Sequence, residues 1–393
     1  MSNSEDPPEP TPGVSRGAVQ AARNGRRKRR MLMSGGAAGA VVVLGVVAAL
    51  AFTGGKDKPA PTTTTTTSTT TSTTTTVPEV LATTVMPLTG VPVNGDDPAT
   101  AALMNRPALA AKIDNDRAAM PQVGLEHADM VIELRVEGIS RYMAVFHSQQ
   151  VDKVGPIRSA RTSDPDLLKM FGQPLFVWSG GNRNVVRAIH DVPFIQNESH
   201  DKVPGAYSRV RSKRAPHNLL VDTDQIFEKA DQPPAVPQPV FSYRGSDQPA
   251  PGFPASGVSL HVGSSPASFV WSAETGTWLR WSNDRRHVTE AGDQLQAKNV
   301  VVLSTRYGRS AADSRSPEAD TVGSGTAWVF SQGTVQVGTW NRSAADQPWT
   351  LVAGDGSVMT LTPGNAWVEL VDQGDEPTML DAAAAGSLNG SER

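Results

Sequence analysis

The chain of 393 residues contains no cysteine. That absence excludes disulfide scaffolds, thiolate zinc sites, iron–sulfur clusters and cysteine nucleophiles together. Charge is sparse too: Asp, Glu, Lys and Arg make up 19% against 38% apolar residues. Most of the chain can therefore bury a core, and 35 glycines and 30 prolines promise many turns. Positive charge is in excess at the start. Residues 1–30 hold seven basic side chains (Arg16, Arg23, Arg26, Arg27, Lys28, Arg29, Arg30) against Glu5, Asp6 and Glu9, so the remainder carries a net charge of −7. That balance argues against nucleic acid as the main partner. Catalytic signatures are missing as well: there is no HExxH, no Walker loop and no GxGxxG. One GxSxG match, Gly13 to Gly17, lacks the strand and helix that a nucleophile elbow needs. The seven histidines include no pair at i, i+4. Neither a metal site nor a cofactor is expected.

A long apolar run is present. Residues 31–55 carry no charge, and Ala37 to Phe52 contains only Ala, Gly, Val, Leu and Phe. About 20 apolar residues cross a bilayer as a helix, so this stretch is predicted to anchor the chain in the plasma membrane by a single pass. The basic cluster before it stays cytoplasmic by the positive-inside rule, which exports everything after Lys56. The alternative is a cleaved signal peptide, with Ala49-Leu50-Ala51 at the cleavage site, and it exports the same residues. Thr62 to Thr76 is all Thr except Ser68 and Ser72. Within 56–84, such a tract reads as an extended stalk reaching about 50 Å, enough to enter a cell wall.

Two folded regions are predicted beyond the stalk. Residues 85–231 alternate strand-like runs (Leu109 to Ile113, Met130 to Val136, Tyr142 to Phe146, Leu175 to Trp178) with helical spacing at Pro165 to Phe171 and Asn184 to His190, which suggests α/β or α+β. Prolines crowd residues 232–256 and read as a linker. Residues 257–372 hold many short, turn-bounded strands, which indicates a mainly antiparallel, all-β sandwich or barrel. The Ala-, Gly- and Ser-rich tail 373–393 reads as disordered.

Chemistry concentrates in the first region, where charges interrupt strand-forming sequence. Lys112, Asp114 and Asn115 close the first strand, and Glu133, Glu137 and Arg141 punctuate the next two. Gly155-Pro156 leads into Arg158, Ser159 and Arg161, and Arg209, Arg211, Lys213 and Arg214 lead into His217-Asn218. Alternation places Glu133, Arg135 and Glu137 on one face of their strand, opposite Met130, Ile132 and Leu134. Two arginines three apart form a candidate anion clamp, because guanidinium donors match phosphate or carboxylate. Glu133, Glu137 and Asp114 are the candidate acids and bases, with His217 as proton shuttle. Lys112, Asp114, Asn115, Arg141, Arg158, Ser159, Arg161 and Asn218 are the candidate ligand contacts. The competing reading is an ion-pair network that only braces the fold.

Several segments together resemble a known family: Pro87-Leu88-Thr89-Gly90, Lys112-Ile113-Asp114-Asn115, Arg141-Tyr142-Met143-Ala144, Gly155-Pro156-Ile157-Arg158-Ser159-Ala160-Arg161, Ala215-Pro216-His217-Asn218 and Leu361-Thr362-Pro363-Gly364-Asn365. In their order they resemble the YerB-type family of exported bacterial envelope proteins, whose domain has no established function. The resemblance implies an extracytoplasmic, two-domain, lipoprotein-like envelope protein, with the apolar helix replacing the lipidated cysteine. The leading expectation is a protein that binds an anionic cell-wall component, or a wall-synthesis partner, through Arg158, Arg161 and His217. The alternative is a hydrolase of wall glycan or a phosphodiester.

Overall fold

The computed structural model describes residues 84–390. The basic tail, the apolar run Ala37 to Phe52 and the threonine tract lie outside the described residues. Among those described, no helix is long and apolar enough to cross a membrane.

The fold is mostly β. In the first region, strands β1 (Leu109–Asp114), β2 (Met130–Arg135) and β3 (Ser140–Phe146) precede helix α1 (Asp164–Lys169), strand β4 (Leu175–Val177) and helix α2 (Arg183–His190). Strands β5 (Tyr207–Arg209) and β6 (Leu219–Asp222) follow. The second region contributes β7 (Gly257–Val262), β8 (Ser265–Ser272), β9 (Thr277–Ser282), β10 (Asn299–Thr305) and the hairpin β11 (Tyr307–Arg309) and β12 (Pro317–Ala319). It ends with β13 (Gly323–Ser331), β14 (Thr334–Arg342), β15 (Ala366–Asp372), β16 (Thr378–Leu380) and helix α3 (Ala382–Asn389).

The two regions share one sheet. Its central order is β14-β13-β10-β15-β2-β3-β1-β4, with short strands extending it to 11. The seam is a parallel pair, β15 on β2, in which Glu369 lies opposite Glu133. A second sheet, β9-β8-β7-β16 with two short strands, packs over one face of this shared sheet. Between them lie Leu109, Ala111, Ile113, Val131, Tyr142, Phe269, Trp278 and Trp367. The opposite face buries Ala110, Ile132 and Met143 against Leu167 and Leu168 of α1 and Val185 and Ile189 of α2. With both faces covered, all six residues of β1 are buried, which is why its apolar residues occupy both faces and its two charges, Lys112 and Asp114, are enclosed as well.

Two expectations are corrected. Residues 232–256 form no free spacer: Val240 and Phe241 are buried, Phe241 stacks on Trp349, and Tyr243 donates to the Leu88 carbonyl. The tail is also ordered through Asn389. Strand β16 pairs with β7, and α3 sets Ala385 against Val270 and Trp281. Low complexity there reflects an alanine run, the strongest helix former, capped by Asp381 accepting from the Ala384 N–H at 2.8 Å.

Candidate functional site

The candidate residues fall on opposite faces of the shared sheet. Alternation along β2 separates Glu133 from Ile132 and Leu134 as read, but Glu133 turns into the space between the sheets. Glu137, read on the same face, lies beyond the strand's end at Arg135 and pairs with Arg161. Glu133 is 0% exposed. Its carboxylate accepts from Arg280 of β9, from the Ser140 hydroxyl, and from Asn115 Nδ2 at 3.1 Å. Asn115 in turn accepts from the Tyr142 hydroxyl. Glu133 and Asn115 are thus enclosed groups without a path to substrate, which removes them as acid/base and ligand candidates.

On the other face, a segment with no regular structure does the positioning. At Gly155 (φ +151°) an added Cβ would lie 2.8 Å from the Leu219 carbonyl oxygen, so only glycine fits. The chain from there runs between strands. Pro156 O accepts from Asp114 N (2.9 Å), Ile157 N donates to Leu219 O (2.6 Å), and Arg158 N donates to Lys112 O (2.8 Å). These bonds lay Arg158 along the end of β1. The loop before β6 is tied equally firmly. Asn218 Nδ2 donates to Val210 O (3.0 Å) and Lys213 O (3.1 Å), and its Oδ1 accepts from Arg209 (2.8 Å). Lys213 Nζ donates to the carbonyls of Ala119 and Pro121. Asn218 is therefore the clasp of the loop that presents His217, with its amide fully used, and not a ligand contact.

These two segments meet at Asp114. Its buried Oδ2 lies 2.7 Å from His217 Nδ1 and 2.9 Å from Arg158 Nε, while Oδ1 accepts from the Asp116 N–H at 3.1 Å. His217 and Arg158 are 19% and 21% exposed at the side chain. Among the described residues, no hydrogen bond uses His217 Nε2 or either Nη of Arg158.

Further basic groups crowd the same end of the sheet. Arg141, opposite Asp114 in the β1–β3 pair, donates from Nη1 to the Ser159 carbonyl at 3.0 Å. Its Nε is buried without a partner. Burial, then repulsion from Arg161 and Arg158, lowers its pKa to about 9. Arg161 forks onto Glu137 Oε2 (3.0 and 2.6 Å) and donates from Nη1 to Ala160 O. Burial alone would raise the Glu137 carboxyl, but the hydrogen bonds and charge of Arg161 outweigh it and hold it below its ordinary value. Lys112 is enclosed and paired with Asp164 at 2.7 Å. The outcome is selective. Lys112 braces α1 and contacts no ligand, while Glu137 and Arg161 neutralise each other. Ser159 lines a cleft of about 550 Å³ with Glu137, Arg161, Gly181, Asn182, Asp313 and Arg315.

Two groups of residues escaped the sequence reading. One is the hairpin β11–β12, whose Asp313 and Arg315 reach that cleft from the second region and whose Asp313 accepts from Asn182 at 2.7 Å. The other is the interior partner set of Glu133: Arg280, Glu369, His287 and Gln122. Arg280 can only donate, so His287 Nδ1 accepts from it (2.8 Å) and Nε2 carries the proton donated to Gln122 Oε1 (2.7 Å). Gln122 Nε2 then donates to the Asp114 carbonyl at 2.9 Å, linking the interior to the surface cluster. Their one sequence signal is a charged residue within an alternating strand, Arg280 between Trp278 and Trp281.

Comparison with known proteins places this geometry in a family. Residues 88–235 match the "Protein of unknown function (DUF3048) N-terminal domain" and residues 258–368 match its C-terminal domain. A relative from Bacillus subtilis (strain 168), named "Putative lipoprotein YerB", is 24% identical over 325 residues, covering 80% of this chain and 92% of its own length. The crystal structure of YerB protein from Bacillus subtilis shares the fold, with a TM-score of 0.65 at 23% identity over 76% of this chain and 100% of that one. Matched through both of its domains, the chain belongs to the DUF3048 family of proteins of unknown function.

Proposed function

We propose that this protein is a membrane-tethered, extracytoplasmic receptor for an anionic polymer of the cell envelope, gripped by Arg158 with Arg141 behind it. The observation that carries the reading is the uncommitted edge of Arg158. Asp114 Oδ2 pairs with Arg158 by charge, 2.9 Å from Nε but without a hydrogen bond, and both Nη groups also lack protein partners among the described residues. A guanidinium held near a buried carboxylate with its Nη donors open suits a phosphate or carboxylate. The exposed Arg211 and Arg214 precede His217 in the chain and add field along the same loop. Arg161, expected in the grip, has its donors on Glu137 and Ala160. Tethering is supported by the apolar run Ala37 to Phe52 and by the word lipoprotein in the relative's name.

The test is binding of the full-length protein, in detergent micelles, to poly(glycerol phosphate). Wild-type affinity should fall steeply with added salt. Arg158→Gln should weaken it by about tenfold or more, the worth of a lost charge-assisted hydrogen bond. Arg158→Lys keeps the charge without the fork and should recover part of the loss. Equal affinity for wild type and Arg158→Gln would remove the reading.

A further inference from the structure

We propose that His217 is a general base and general acid, and that the site hydrolyses a phosphodiester bond of the anion it holds. The inference rests on the anion-binding reading above and adds a reaction to it.

The geometry begins with Asp114 Oδ2. A carboxylate oxygen accepts, so the imidazole nitrogen 2.7 Å from it, Nδ1, carries the hydrogen. The lone pair of neutral His217 is then on Nε2, which has no partner among the described residues. Arg158 Nε lies 2.9 Å from the same oxygen. Imidazole and guanidinium are thus neighbours anchored on one atom, the first offering a base and the second open donors. Asp114 is enclosed completely, so it orients His217 and balances the imidazolium without meeting substrate itself. That makes it a positioning residue.

The same structure decides between the two bonds a wall hydrolase could cut. Glycoside hydrolysis draws on two carboxyl groups about 5–10 Å apart across an open site. Here Glu133 is sealed against Arg280 on the far face of the sheet, Glu137 is bound by Arg161, and Asp114 is closed over by His217 and Arg158. The carboxylates are spent, whereas a histidine beside an arginine remains. That pair suits attack at phosphorus, where charge develops on oxygens that a guanidinium can hold.

The step balances with water as the only co-reactant. His217 Nε2 takes a proton from water, and the water oxygen forms a new bond to phosphorus. The bond from phosphorus to the leaving alkoxide breaks, and Nε2 returns the proton to that oxygen. The products are a phosphomonoester and an alcohol, His217 is neutral again, and nothing is oxidised or reduced.

The experiment uses the full-length protein in micelles, with bis(4-nitrophenyl) phosphate followed by absorbance and poly(glycerol phosphate) followed by phosphorus NMR. Wild type should release nitrophenol and generate phosphomonoester ends. His217→Gln should lose at least about 100-fold in rate, the share of one acid–base group, while still binding the polymer. Asp114→Asn should lower kcat and alter the pH–rate profile, a signature that mere bracing would not give, and should also raise KM because Arg158 loses its charge partner. Wild type that binds polymer but cleaves neither substrate overturns the reaction and leaves the receptor standing. Full activity in His217→Gln overturns it as well, and a protein that binds no polymer overturns both.

Discussion

Lys112 and Asp164 show what single residues do beneath the site. Both side chains are 0% exposed and meet at 2.7 Å, and Asp164 also accepts from the Arg161 N–H at 2.7 Å. Burial pushes the Lys112 ammonium below its ordinary value, and the Asp164 carboxylate opposes that shift. Removing one partner of such a pair leaves a buried charge uncompensated, at about 3–5 kcal/mol. Asp164→Ala should therefore lose about that much stability in urea unfolding. The double variant Lys112→Met, Asp164→Leu should recover most of it, because apolar residues replace a buried pair at little net cost. If the single variant unfolds at the wild-type midpoint, the pair contributes nothing and the lysine is held by packing alone. At this scale the sequence showed which residues were chemically unusual but not which were already satisfied. Asp114, Arg158 and His217 stood out as charges in sheet-forming sequence, and they do converge. Glu133 stood out on the same grounds yet points the other way, because period-two alternation says that two residues share a face and not which face meets water. Arg161 and Glu137 lie 24 positions apart, and their mutual neutralisation depends on a turn geometry that spacing does not encode.

Among the elements, the strands were the most legible. Those around Leu109, Met130, Tyr142, Val300 and Ala366 are rich in apolar residues on both alternating sets of positions, with single charges between them, because both faces of the shared sheet are covered. Residues 358–361 make only isolated bridges, at Val358 and Leu361. The end of the chain was misread: α3 is short and alanine-rich, so its stability comes from docking on the second sheet and not from an amphipathic stripe of its own. Deleting residues 376–393 tests this. The truncation removes β16 from the edge of β7 and uncovers Val270 and Trp281. The expected loss is on the order of 2 kcal/mol of burial, together with faster hydrogen exchange at 257–259. The bare edge of β7 should also promote self-association, since it presents unpaired backbone donors and acceptors. An unshifted unfolding midpoint would mean that α3 rests on the sheet without stabilising it.

For the whole molecule, the feature that sequence could not announce is the shared sheet. Composition divides the chain at its prolines, whereas β15 returns from the second region to pair with β2. That seam carries a consequence, because it brings Glu369 beside Glu133 with one guanidinium, Arg280, facing both. Arg280 is wrapped by Trp367, its Cζ 4.2 Å from that ring's centroid, and by Tyr142 and Phe269 at 5.4 Å. Burial first, and then the charge on Glu133, raises the Glu369 carboxyl well above 4.5, so that the folded state keeps a proton there. The unfolded chain releases that proton near pH 4.5. For an acid raised on folding, the associated stability is complete below the unfolded value and declines as pH climbs toward the folded one, by about 1.4 kcal/mol per pH unit within that window. Other buried groups titrate nearby: burial and Arg280 hold His287 well below 6.5, which by itself favours the fold at higher pH. The informative quantity is therefore the difference between wild type and Glu369→Gln, which keeps the neutral shape without the proton. Measured by urea unfolding from pH 4.5 upward, the variant should gain relative to wild type with every step, and a constant gap across that range would show Glu369 to be ionised inside the fold.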